Sequence, residues 1–184
     1  MNASALFDLL AAAHAECGLS DYVVVGSVSV LGMSDVSAIP AGMTMSIDAD
    51  CYTLTDPPRV FDLQAKLGEG SYYHRLHGIY LDPVSPKLPT LPDGWQQRLI
   101  RIARSDVTAH FLEPNDAAVS KLARAEPRDM RWVRAGIAAG LVSLPMLKLR
   151  MRNTDFLDAH EQAAALGALD ALDALALPAN PDES

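Results

Sequence analysis

The sequence predicts an α/β (α+β) chain, a mixed sheet followed by a helical C-terminal half, and three observations carry that expectation. Short apolar runs such as Tyr22-Val23-Val24-Val25 alternate with glycine, proline and acidic turns up to residue 112. Two of those runs meet marked turns, the first ending in Gly26-Ser27 and the second closing on Ile47-Asp48-Ala49-Asp50. From Pro114 onward the apolar spacing becomes helical. A chain of 184 residues can bury one main core with a small appendage, and not two full domains. The expected division is a sheet-bearing core at 1–112, a helical region at 113–177 and a disordered tail at 178–184.

The elements follow in order. Met1 to Cys17 reads as an amphipathic helix with Leu6, Leu9, Leu10 and Ala13 on one face. Tyr22 to Val25 is a strand, Gly26-Ser27 a tight turn, and Val28 to Gly32 the first turns of a helix. The run through Asp50 is a second strand, on which residues two apart face one side, roughly 6.5–7 Å from each other. Val60 to Leu67 has helical spacing and would cross back over the sheet, and Gly68-Glu69-Gly70-Ser71 reads as a flexible segment. Gly78 to Asp82 is a third strand, and Pro83 to Gly94 an extended, proline-rich surface loop. Arg98 to Ala103 and Val107 to Leu112 form a hairpin turned at Ser105-Asp106, for a sheet of about five strands. Helices follow from Pro114 to Ala125, from Arg128 to Ala139 with Gly140 as terminator, from Leu144 to about Arg152, and from Asp155 to Leu177. In the last, Leu166, Leu169 and Leu172 mark the expected apolar stripe.

Charge and cysteine content narrow the function classes. A formal charge of −8 opposes nucleic-acid binding through the overall field, although Lys121 to Arg134 and Lys148 to Arg152 are local basic stretches. No apolar run approaches the roughly 20 residues of a membrane span. The N-terminal stretch lacks the basic start of a secretion signal, so a cytoplasmic location without membrane association is expected. Cys17 and Cys51 stand outside any Cys-x-x-Cys or Cys/His cluster and read as small buried side chains. His74 and His77, with no ligand spacing around them, read as packing or surface residues.

The chemistry sits in the acids and the glycine turn. Asp48 and Asp50, side by side on a strand, repel each other unless a cation lies between them, and Mg²⁺ takes carboxylate oxygens together with substrate phosphates. The bland alternative is a solvated strand end. Gly26-Ser27 ahead of a helical turn offers free N–H groups and a hydroxyl to an anion. Asp82 is the natural third acid; its alternative is a turn residue before Pro83.

The order strand, Gly-Ser, short helix, then strand with Asp-x-Asp resembles the nucleotidyltransferase fold of the polymerase-beta type. Three further segments extend the likeness: Leu67-Gly68-Glu69-Gly70-Ser71 running on through Tyr73, His74 and His77 to Asp82; Leu91-Pro92-Asp93-Gly94-Trp95 with Arg98-Leu99; and Leu112-Glu113-Pro114-Asn115-Asp116 through Leu122 with Arg128-Asp129. Together they resemble a bacterial family of small nucleotidyltransferases related to abortive-infection and toxin-type transferases, over roughly Val24 to Val142. The resemblance implies that Gly26 and Ser27 hold a nucleoside triphosphate and that Asp48, Asp50 and Asp82 hold Mg²⁺ or Mn²⁺, with Asp82 helping to activate an acceptor hydroxyl. It also points Lys121 toward the nucleotide, where the alternative is a solvated lysine on an alanine-rich helix. Asp129 is either part of that pattern or an acid favouring a helix start. The acceptor would be an RNA end, a protein hydroxyl or a small molecule, and a place in a toxin–antitoxin or phage-defence system follows from the likeness. One departure stands out: relatives usually carry a polar or basic residue shortly before the acidic pair, whereas Met43-Thr44-Met45-Ser46 is largely apolar, with Thr44 and Ser46 as its only hydroxyls. The rival reading is therefore a catalytically silent transferase fold that binds a protein partner, an antitoxin or a second copy, through its Ala/Leu-rich C-terminal helix.

Overall fold

The computed structural model describes residues 1–33 and 38–176. Helix α1 (Ala3–Cys17) opens the chain, capped by the Asn2 side chain at its start and by left-handed Gly18 at its end. Strand β1 (Asp21–Val24) follows. The chain then makes 3₁₀ turns at Ser27–Gly32 and Ala41–Met43 and returns as β2 (Asp48–Thr53). A 3₁₀ segment, Pro57–Leu63, leads into one α-helical turn, α2 (Gln64–Leu67), and then α3 (Tyr72–His77) and β3 (Tyr80–Pro83). A hairpin of β4 (Ile100–Arg104) and β5 (Val107–Phe111) completes the strands, with Ser105 at φ 49° in its turn. Four helices follow: α4 (Pro114–Arg124), α5 (Pro127–Ala138), α6 (Leu144–Met151) and α7 (Ala159–Ala176).

The five strands form one mixed sheet in the order β3-β2-β1-β5-β4. β1 pairs antiparallel with β2 and parallel with β5, β2 pairs parallel with β3, and β4 pairs antiparallel with β5. Tyr22, Val23 and Val24 on central β1 are all fully buried although successive side chains point to opposite faces, so both faces of the sheet are covered there. Helix α1 packs on the sheet through Phe7, whose ring lies 6.3 Å from that of Phe111. Helix α4 is buried along nearly its whole length against α5, α6 and α7, as its small Ala117, Ala118 and Ala123 allow. No described helix is long and apolar enough to cross a membrane.

The architecture matches the sequence expectation in class and strand number, and five details differ. The acidic pair begins the second strand rather than closing it, because antiparallel register sets Val24 opposite Cys51 and leaves Asp48 beyond the end of β1. The turns after Gly26 are 3₁₀ rather than α-helical. The helix expected over Val60 to Leu67 is mostly 3₁₀, opened by Pro57 and Pro58, with a single α turn at its end. Gly68 to Ser71 is a tight cap rather than a flexible link: Ser71 is buried, and its hydroxyl accepts from His74 N–H to start a helix that carries no apolar period. On α7 the buried face is Ala165, Leu169 and Leu172, while Leu166 is 46% exposed. The expected tail at 178–184 lies outside the described residues.

Candidate active site

The antiparallel turn from β1 into β2 brings Gly26 against Asp50. Val25 N–H donates to Asp50 O at 2.9 Å, and a Cβ on Gly26 would fall 1.9 Å from Asp50 Oδ2. Gly26 also adopts φ 66° and ψ −154°, a conformation open in practice to glycine alone. Its neighbour Ser27 accepts a hydrogen bond at Oγ from Lys121 Nζ at 2.9 Å, across a separation of 94 residues. Parallel register between β2 and β3 sets Asp50 beside Asp82 and Asp48 beside Tyr80. One carboxylate oxygen from each of Asp48, Asp50 and Asp82 lies within 4.8 Å of the other two.

These side chains line one cleft of about 550 Å³. Ser27, Asp48, Asp50 and Asp82 form one wall; Arg124, Arg128 and Arg131 stand in the facing helices. Gly26 and Lys121 border a smaller space of about 50 Å³ that shares Asp50 and Arg124 with the cleft. All six residues expected from the sequence therefore lie around these two adjoining spaces, which are also lined by basic residues of α4 and α5.

Burial excludes the solvated-lysine reading of Lys121, while Asp129 sits in the first turn of α5 and both readings of it stand. The Lys121 side chain is 3% exposed and its partner Asp129 2%. Asp129 Oδ1 accepts from Lys121 Nζ at 3.0 Å, and its carboxylate takes a fork from Arg124, Nε at 3.0 Å and Nη2 at 2.9 Å. Lys121 Nζ also stands 4.9 Å over the Trp132 ring, whose Nε1 donates to both Ser27 O and Met43 O at 3.1 Å. One indole thus ties the glycine-serine turn to the turn at Ala41–Met43. Sequence reading missed Arg124, Trp132 and Tyr80. Lys121 and Arg124 share one face of a helix at i, i+3, and a sharp corner at Ala125, φ 52°, returns the chain so that Asp129 meets both.

Electrostatics follow from this packing. Burial, then the neighbouring Asp48 and Asp82, push the Asp50 carboxyl up to about 6, against the opposing pull of Arg124 and Lys121. Asp82 is raised by burial, by Asp48 and by Glu69. Burial lowers the Lys121 ammonium, with Asp129 opposing. Burial alone would raise Asp129, but hydrogen bonds and charge from Arg124 and Lys121 hold it below the usual carboxylate range. Three carboxylates crowded at this distance are a hard-oxygen donor set suited to a divalent cation such as Mg²⁺ or Mn²⁺.

The remaining motifs sit elsewhere. Asp116, with no exposed side-chain surface, accepts from Arg98 Nε at 2.9 Å and Arg150 Nη1 at 2.7 Å, while Arg150 also meets Glu113. Arg98 donates to Asp93 O at 3.0 Å, and Asn115 Oδ1 accepts from Ser143 N–H at 2.8 Å. The Leu91 to Leu99 and Glu113 to Asp116 segments thus anchor the base of α4, the helix that carries Arg124 into the cleft and Lys121 beside it. His74 and His77 pack: His74 Nδ1 accepts from Gly70 N–H at 3.0 Å with its ring 4.7 Å from Tyr80, and His77 stacks on Tyr73 at 4.2 Å.

The family model described as "Nucleotidyltransferase of unknown function (DUF6036)" matches residues 4–167. No curated protein and no solved structure matches the chain.

Proposed function

The chain belongs to that family of nucleotidyltransferases of unknown function, and from this premise we propose that it moves a nucleotidyl group from a nucleoside triphosphate to a hydroxyl acceptor in a metal-dependent reaction. The observation that carries the proposal is the meeting of Asp48, Asp50 and Asp82 in one cleft beside Ser27 and Lys121. Gly26 lets the backbone close on the acids without a side chain. Ser27 accepts from Lys121, so its own proton is free to donate to a phosphate oxygen, and Lys121 and Arg124, held by Asp129, supply positive charge to the same phosphates. Asp82, on β3 beyond the acid pair of β2, receives the proton of the incoming hydroxyl. Asp48, Asp50 and Asp82 would hold a divalent cation, which when bound would supply charge neutralisation at the phosphate.

An intact acid triad and a basic facing wall favour this reading over a silent binding module. The likeness to abortive-infection and toxin-type transferases supports placing the reaction in a toxin–antitoxin or phage-defence setting, in the cytoplasm. The acceptor is drawn from RNA ends, protein hydroxyls and small molecules. The test uses labelled nucleoside triphosphates with mixed RNA and protein pools. Wild type is expected to transfer label, and Asp48→Asn, which keeps size but removes charge, to lose transfer by orders of magnitude. A wild type that labels no pool and gains no thermal stability from triphosphate with Mg²⁺ or Mn²⁺ would exclude the enzyme and favour the silent module.

A further inference from the structure

The acid cleft holds one hydroxyl that the reaction above does not use. Tyr80 stands two residues before Asp82 on β3, so both side chains share a sheet face, and register sets Tyr80 directly beside Asp48. It lines the cleft with the three acids. Its ring is held from behind by His74, 4.7 Å away and tilted 52°, and His74 is itself fixed by the Gly70 N–H. Among the described residues the Tyr80 hydroxyl has no hydrogen-bond partner.

Strand order sets a direction across the site. Ser27 and Lys121, the phosphate-holding groups, lie at the end of β1; the acid pair lies on β2; Asp82 and Tyr80 lie on β3. A triphosphate with its outer phosphates at β1 and its α-phosphorus over β2 has its leaving group pointing away from β3. An oxygen attacking in line must then arrive from the β3 side, where Tyr80 already places a phenol.

We propose that Tyr80 is a self-acceptor: without an outside acceptor, the chain transfers a nucleotidyl group to its own Tyr80 and so blocks its cleft. This rests on the nucleotidyltransferase reading and adds a regulatory modification to it. In the step, Tyr80 Oη forms a bond to the α-phosphorus of a nucleoside triphosphate as the bond from that phosphorus to the α,β-bridging oxygen breaks. Pyrophosphate leaves with the bonding electron pair, and the phenolic proton passes to Asp82 and then to solvent. The product is a phosphodiester seated where a second triphosphate would have to bind, so the modification limits itself to a single group per chain.

The test incubates the full chain with Mn²⁺ or Mg²⁺ and each α-labelled nucleoside triphosphate in turn, without added acceptor, and locates the label by intact mass and peptide mapping. Binding is read separately as thermal stabilisation by an α,β-methylene triphosphate, which cannot react. The expected result is label on the Tyr80 peptide of wild type and none on Tyr80→Phe, and the purified adduct should no longer be stabilised by the methylene analogue. A wild type that binds the analogue yet remains unlabelled overturns the self-acceptor proposal and leaves the nucleotidyltransferase reading standing. Label on any residue other than Tyr80 also overturns it, and mapping wild type alone decides this if the variant does not fold. A wild type that neither binds the analogue nor carries label removes both readings together.

Discussion

Replacing Asp50 with asparagine should stabilise the protein while disabling it. The Asp50 carboxyl is pushed from its ordinary value of 3.8 up to about 6 by burial and by Asp48 and Asp82. The folded state therefore holds a proton that the unfolded state has released between these two values. Stability falls as pH rises through that window; the penalty is absent below it and complete above it. A shift of roughly two units corresponds to about 3 kcal/mol, and partial contact with solvent reduces this to about 2 kcal/mol. For a chain of this length that is a Tm gain of roughly 4–8 °C at neutral pH for Asp50→Asn. Thermal melts in chelator from pH 4 to 7.5 would show wild type losing stability across the window and the variant losing much less. Added Mg²⁺ or Mn²⁺ should then raise the Tm of wild type and leave Asp50→Asn unchanged, because the cation binds the native acid cluster. Equal Tm and equal pH slope for the two proteins in chelator would refute the claim that burial and the neighbouring acids hold the Asp50 carboxyl up.

Gly26→Ala must adopt φ 66° and displace Asp50 Oδ2 from 1.9 Å, so a loss of about 2–4 kcal/mol in denaturant unfolding, together with loss of the metal-induced Tm shift, is expected. Asp129→Asn leaves Lys121 and Arg124 sharing a neutral partner; a cost of about 3 kcal/mol in urea unfolding is expected, with a weaker response to triphosphate. Lys121→Ala should raise the KM for triphosphate at least about tenfold with a smaller change in kcat, since its proposed role is phosphate contact. Truncation ahead of α7 uncovers the surface that meets Ala165, Leu169 and Leu172, and size-exclusion chromatography should show aggregation; a soluble, equally stable truncated monomer would contradict that packing.

Much of the site was legible because its acids obey a local rule. Period two on a strand places Asp48 and Asp50 together whatever surrounds them, and a glycine-serine turn announces itself by composition. Other features depend on information that no window of sequence contains. Tyr80 becomes part of the cleft only through the register of a parallel pair whose strands are separated by two helices and a 3₁₀ segment. Arg124 and Asp129 meet across a left-handed corner at an alanine, a residue that gives no turn signal. Helix α3 was missed because its six residues depend on the Ser71 cap and on tertiary support rather than on apolar spacing. The starting end of β2 was misjudged because alternation fixes which side chains share a face, and only pairing with β1 fixes where the strand begins.

The indole of Trp132 offers a way to watch the cleft without adding anything to it. Its emission colour responds to local electric fields, and here a cation sits above the ring while two carbonyls receive its N–H. A ligand that draws Lys121 toward a phosphate changes that field directly. The chain's only other tryptophan is Trp95, in the loop ahead of β4. Trp95→Phe would leave a single tryptophan, excited selectively over the five tyrosines, whose light would report occupancy of the cleft in real time from a native side chain.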